Sequence, residues 1–194
     1  MSTRITIGLF VGGKGTRMGG LPKGLLRTPD GSQTLLERLR GQCTRVAPDA
    51  SIYLVGKTPS YSALDWPELA DDPPGIGPLG GLRALLLRAL ADESQLALAF
   101  SCDLPFLDEA AIDALIAPFS GLTRVPVAHG RLQPLAAAYA PKAALAAVDR
   151  SLSLGKHALM HVLDLLGAEL ERVDFDDDRA RALSDWDTPE DMQR

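Results

Sequence analysis

Residues able to handle an anion gather near the start of the chain. The segment GGKGTRMGGLPKGLL, residues 12–26, interleaves glycines with Lys14, Arg17 and Lys23, and no acid occurs between Gly12 and Arg27. Glycine lets successive backbone N–H groups turn toward an anion with no side chain in the way. Arg17 can fork onto phosphate oxygens, and Lys23 can act as a point charge. The spacing matches neither the GxxxxGK[ST] phosphate loop nor the GxGxxG dinucleotide turn. A different kind of glycine-rich phosphate loop is the chemistry that these residues suggest.

Carboxylates come next. Asp103 follows the apolar stretch Leu96–Phe100 and precedes a turn at Pro105. A lone carboxylate in that position can hold Mg²⁺, which takes oxygen ligands and keeps several waters. A metal there would bridge phosphate oxygens and offset the charge that builds up during transfer. Asp71 or its neighbour Asp72 precedes Gly75-Ile76-Gly77-Pro78, where a carboxylate can accept hydrogen bonds from a base or from ribose hydroxyls. Asp187 stands before Thr188-Pro189, which reads as a helix start with Thr188 as N-cap. Trp186 and Pro189 in this acidic tail suggest a docked segment.

Two other reactive side-chain types are better explained by packing. Cys102, beside Asp103, has no base partner in view and reads as a small buried residue. His157 and His161 stand at i, i+4 on a helix predicted over 155–166, a spacing that can bind zinc, but no HExxH pattern accompanies them.

Positioning such residues needs a scaffold, and the hydrophobic pattern describes one. Ile5–Val11, Ser51–Val55 and Gln95–Cys102 are short apolar runs of the kind found in strands buried on both faces. Helices are predicted over 34–46, 79–90, 107–119, 141–150 and 155–166. Asp108 is the expected N-cap of the third, and Gly77 and Pro78 introduce the second. Thr123–Val127, Gln133–Tyr139 and Glu169–Asp174 are further strand candidates. Alternating strands and helices imply an α/β fold, a Rossmann-like three-layer sandwich around a mostly parallel sheet. Short loops and the absence of repeats or linkers predict one domain over 1–194. In sheets of this kind ligands lie beyond the carboxyl ends of the strands, which singles out the loops after Val11, Val55 and Cys102.

Composition narrows the function classes. The net charge of −5 argues against nucleic acid as the main partner, since polyanion binders carry a basic excess. No apolar run reaches the roughly 20 residues that span a membrane, and the first residues lack a secretory pattern. The two cysteines, Cys43 and Cys102, fit a reducing cytoplasm, which is the expected location.

With these motifs in hand, the chain resembles the molybdenum cofactor guanylyltransferases (MobA type) of the nucleotidyltransferase superfamily. The resemblance rests on the 12–26 loop, Asp71 with GIGPLGGL (75–82), SCDLPFL (101–107), RLQPLAAAY (131–139) and DTPEDM (187–192), in family order. It implies transfer of GMP from Mg²⁺-bound GTP to molybdopterin, with loss of pyrophosphate. It places Phe10, Val11, Gly12 and Gly13 against the base and ribose. Arg17 and Lys23 would hold the triphosphate, Asp103 the Mg²⁺, and Asp71 the nucleotide. Asp187 would contact the acceptor or a second metal. Transient contact with molybdoenzymes or cofactor-insertion proteins is a further implication.

The sequence also departs from the family pattern. Phe10-Val11 replaces Leu-Ala, Pro22 replaces an Asp, Gly56 stands where relatives can carry Asn, and Gln133 stands where His is more usual. Gly155-Lys156-His157 falls near the implied acceptor. Asp187 is closer to the cytidylyltransferase branch, where Asp is common and guanylyl enzymes often have Asn. Cytidylyl transfer, or another small phosphorylated acceptor, is therefore the competing enzymatic reading. A non-catalytic nucleotide-binding protein is a second class, and the joint presence of Arg17, Lys23 and Asp103 weighs against it.

Overall fold

The computed structural model describes residues 3–12, 22–56, 58–118, 121–186 and 191. In chain order the main elements are β1 (Ile5–Phe10), α1 (Leu35–Val46), β2 (Ser51–Val55), β3 (Glu68–Leu69), α2 (Pro78–Ala91), β4 (Leu96–Ser101) and α3 (Glu109–Ile116). There follow β5 (Thr123–Ala128), β6 (Arg131–Leu132), β7 (Ala136–Tyr139), α4 (Pro141–Ser153), α5 (Leu159–Leu166), β8 (Leu170–Asp174) and α6 (Asp177–Ala180).

The sheet runs β3-β2-β1-β4-β7-β5-β6, with β8 also paired to β5. β1 lies at its centre, buried at every position, with β2 and β4 parallel on either side. β3 extends the parallel half beyond β2, and β8 runs parallel to β5. β7 is antiparallel to both β4 and β5, so one reversed strand joins the two parallel groups.

The apolar runs have a hidden period of two, because successive side chains enter opposite layers. Ile7, Leu9, Leu98 and Phe100 face one core, with Leu36 and Leu39 of α1 and Ile112 of α3. Phe10, Ala97 and Ala99 face the other, beneath Leu82 and Leu85 of α2, Val148 of α4 and Val162 of α5. This is the three-layer arrangement expected from the sequence.

Helix starts follow local rules. Thr34 and Glu37 form a reciprocal capping box at the head of α1. The Asp108 carboxylate accepts the N–H of Ala111 at 2.8 Å and caps α3.

Several boundaries differ from the sequence prediction. α3 stops at Ile116, because Pro118 disfavours helical geometry at Ala117. Gly155 adopts φ +66 just past α4, and α5 begins only at Leu159. Between Thr123 and Tyr139 the chain makes an unpredicted hairpin, with His129 (φ 50) and Gly130 (φ 72) as its two-residue loop between β5 and β6. The predicted strand 133–139 shortens to Ala136–Tyr139 as a result.

Candidate active site

The three central strands end in register, Phe10 opposite both Val55 and Ser101. The ladder continues one step further, through Val11 N–H to Val55 O and Cys102 N–H to Phe10 O. The first residues free to turn are therefore Gly12, Gly56 and Asp103, in the three loops singled out from the sequence.

Asp103 meets Lys23 here. Lys23 opens the 3₁₀ turn Lys23–Leu25, and its Nζ donates to Asp103 Oδ2 at 2.8 Å. The side chains are 18% and 14% exposed, so water screens the pair only partly. Ser101 Oγ donates to the other carboxylate oxygen, Oδ1, and the Trp186 N–H donates to the Asp103 carbonyl at 3.0 Å. Both the carboxylate and its main chain are thereby fixed.

Beneath this pair lies Gly24. Its N–H donates to Tyr61 Oη at 3.2 Å, and a Cβ at Gly24 would fall 3.1 Å from Tyr61 Cε1 and 3.3 Å from Cys102 Cβ. Burial pushes the Cys102 thiol up to about 12, so it is a packed thiol and not a thiolate nucleophile.

The opposite wall is built around Gly56. Its φ is +94, and a Cβ there would lie 3.1 Å from the Gly12 nitrogen and 3.8 Å from Asp71 Oδ1. Asp71 also reaches over α2, where its Oδ1 would lie 3.2 Å from a Cβ at Gly81. Burial raises its carboxyl pKa above the ordinary value. Asp72, by contrast, is exposed and tied outward by Arg83, which also holds Asp149 of α4. Of the two candidates, Asp71 is the one beside Gly12 and Gly56. The side chains of Phe10 and Val11 are each 5% exposed and enter the two cores. Only their main chain borders the site, beside the exposed Gly12.

Gly13, Arg17 and Asp187 lie outside the described residues. His157 precedes α5 and does not share it with His161, whose Nδ1 is 2.9 Å from Ser151 Oγ at the α4–α5 turn. The helical i, i+4 pair considered from the sequence is not formed. Among the described residues, no group of three or more His, Cys, Asp or Glu side chains could hold a metal. A single carboxylate nevertheless suits Mg²⁺, which commonly takes one or two carboxylates and completes its shell with phosphate oxygens and water.

Sequence reading did not anticipate two contributors, Tyr61 and Ser101, and took Trp186 only as the sign of a docked tail. Ser101 stands two residues before Asp103, a strand spacing that could have suggested a shared face. Trp186 borders a hollow of about 350 Å³, lined also by Phe106, Arg181, Ser184, Asp185 and Asp191. The Arg181 guanidinium lies 4.8 Å from the Phe106 ring centre, and Phe106 meets Trp186 edge to face at 6.4 Å. Trp186 Nε1 is buried without a hydrogen-bond partner among the described residues.

The family model of the MobA-like NTP transferase domain matches residues 9–173. The chain belongs to the MobA-like NTP transferase family. It is a nucleotidyltransferase. A curated relative, a probable molybdenum cofactor guanylyltransferase from Carboxydothermus hydrogenoformans, is 30% identical over 98% of this chain and 94% of that protein. Among solved structures, this transferase is similar to molybdopterin-guanine dinucleotide biosynthesis protein A from Archaeoglobus fulgidus. The TM-score is 0.76 at 18% identity, over 97% of this chain and 95% of that one. It is also similar to 2-C-methyl-D-erythritol 4-phosphate cytidylyltransferase from Thermus thermophilus, with a TM-score of 0.65 at 17% identity, covering 96% and 94% of the two chains. At such identities the two structures speak to the fold alone. Among the described residues, no helix of this transferase is long and apolar enough to cross a membrane.

Proposed function

We propose that the protein is a molybdenum cofactor guanylyltransferase, moving GMP from magnesium-bound GTP to molybdopterin with release of pyrophosphate. The Lys23–Asp103 pair carries the reading: it joins the exit of the glycine-rich loop to the end of β4, one phosphate-binding cation against one metal-binding carboxylate. The name of the Carboxydothermus relative supports the choice of substrates.

In this reaction an oxygen of the acceptor phosphate forms a bond to the α-phosphorus of GTP. The bond from that phosphorus to the α,β-bridging oxygen breaks, and its electron pair leaves with pyrophosphate. The attacking phosphate is already anionic near neutral pH, so no general base is required, and alignment and charge matching suffice. Mg²⁺ supplies Lewis acidity and neutralises charge on the phosphate oxygens. Asp103 is the residue that would hold it, with its Oδ1 fixed by Ser101 and its carbonyl by Trp186. Lys23 exchanges Asp103 for the triphosphate when the metal–nucleotide arrives, so each charge keeps a partner. Arg17 adds a second cation from the glycine-rich loop. Asp71 accepts hydrogen bonds from guanine N1–H and N2–H₂ or from the ribose, beside main chain from Phe10 to Gly13. The aromatic hollow at Phe106 and Trp186, with Arg181, suits a flat acceptor carrying phosphate, and Asp187 is the next residue in sequence after Trp186.

A thermal-shift panel of GTP, CTP, ATP and UTP with magnesium tests the choice of base. A ligand that binds only the folded state adds about 2.7 kcal/mol of stability at a hundred times its Kd. GTP is expected to raise Tm most. A larger shift with CTP would replace this reading with the cytidylyl one.

A further inference from the structure

Tyr61 takes no part in the chemistry above, yet its ring is 3% exposed directly under the site. It belongs to the 3₁₀ turn Pro59–Leu64, between β2 and β3. Its hydroxyl accepts the Gly24 N–H at 3.2 Å. A hydrogen bond therefore ties the residue after Lys23 to the turn between β2 and β3. A Cβ at Gly24 would lie 3.1 Å from the Tyr61 ring and 3.3 Å from Cys102 Cβ, so this peptide is also packed closely against both.

We propose that Tyr61 is a positioning residue, whose hydroxyl pins the Lys23–Gly24 peptide where it packs against Cys102 and so sets Lys23 opposite Asp103. The inference rests on the reading of Lys23 as the triphosphate cation. Lys23 leaves a glycine-rich segment and carries a long flexible side chain, so its root must be anchored if its ammonium is to be aimed. The ion pair cannot serve as that anchor during turnover, because Lys23 must exchange Asp103 for phosphate. The Tyr61 hydroxyl bonds main chain, which does not change partner in the reaction. It holds the geometry while the charges move.

Tyr61→Phe keeps the ring and removes only the hydroxyl. Turnover is expected to fall about 10- to 100-fold, the range typical for losing support behind a functional group, with the acceptor KM unchanged. The decisive comparison is a double-variant cycle with Lys23→Met. A hydroxyl that acts through Lys23 has nothing left to position once the ammonium is gone, so Lys23→Met/Tyr61→Phe should be no slower than Lys23→Met alone. Wild-type turnover in Tyr61→Phe, or losses that simply add in the double variant, would overturn the proposal even if Tm falls. Circular dichroism checks the fold of each variant. If Tyr61→Phe does not fold, Gly24→Ala presses a Cβ 3.1 Å from the Tyr61 ring, displaces the same peptide and enters the same cycle, with the same lack of additivity expected and additive losses overturning the idea. Wild-type turnover in Lys23→Met would instead remove the reading on which the inference rests, an outcome separate from additivity.

Discussion

Lys23 and Asp103 hold each other at 2.8 Å in a setting that is neither dry nor fully wet, and this makes their roles separable by mutation. Lys23→Ala removes a phosphate partner, so it should weaken GTP far more than guanosine, and isothermal titration with both ligands measures the difference. Equal losses would assign Lys23 to the nucleoside instead. Asp71 poses a different balance. Burial raises its carboxyl pKa in the folded protein, so its charge works against folding at neutral pH, and that burden lifts as pH falls through the folded pKa. Asp71→Asn should therefore raise Tm at pH 7, with the gain shrinking in acid, while guanosine binding weakens. A variant that loses both stability and binding would show that the carboxylate serves mainly the fold.

Gly56 belongs to the scale of elements, because it is where the turns after β1 and β2 touch. At φ +94, with Gly12 main chain 3.1 Å from any added Cβ, Gly56→Ala must move backbone. It should cost about 1–3 kcal/mol in urea unfolding, the range for residues held in such conformations, and weaken GTP through displacement of Gly12. Unchanged stability and affinity would mean that the contact is slack. The sequence made the elements legible wherever the cause was local. Thr34 with Glu37, Asp108, and Pro78 announce helix starts through their own side chains. Asp71, Lys23 and Asp103 were named from motif, the resemblance already choosing Asp71 over Asp72, and the fold sets Asp71 beside Gly56. Where the cause was a partner far along the chain, legibility ended. Tyr61 acts on Gly24, 37 residues away, and no spacing rule connects them. The helix predicted over 155–166 forms only from Leu159, because the positive φ of Gly155 closes the preceding helix instead.

At the scale of the whole molecule, parallel order brings the site together. β1 sits between β2 and β4, so one end of the sheet gathers Gly12, Gly56 and Asp103. The sheet then turns antiparallel through β7, and the chain returns past β8 to place Trp186 on the Asp103 carbonyl. The last described segment thus closes on a carboxylate set by the middle of the chain. On the proposed function, Asp103 is the point where triphosphate, metal and acceptor side would converge. Pyrophosphate release from GTP, with magnesium and molybdopterin present, tests that claim most directly when wild type is compared with Asp103→Asn. The asparagine keeps the shape and removes the charge. The account predicts an acceptor-dependent release in wild type that falls by orders of magnitude in the variant, with circular dichroism unchanged. Release at the wild-type rate from Asp103→Asn at saturating magnesium would contradict it.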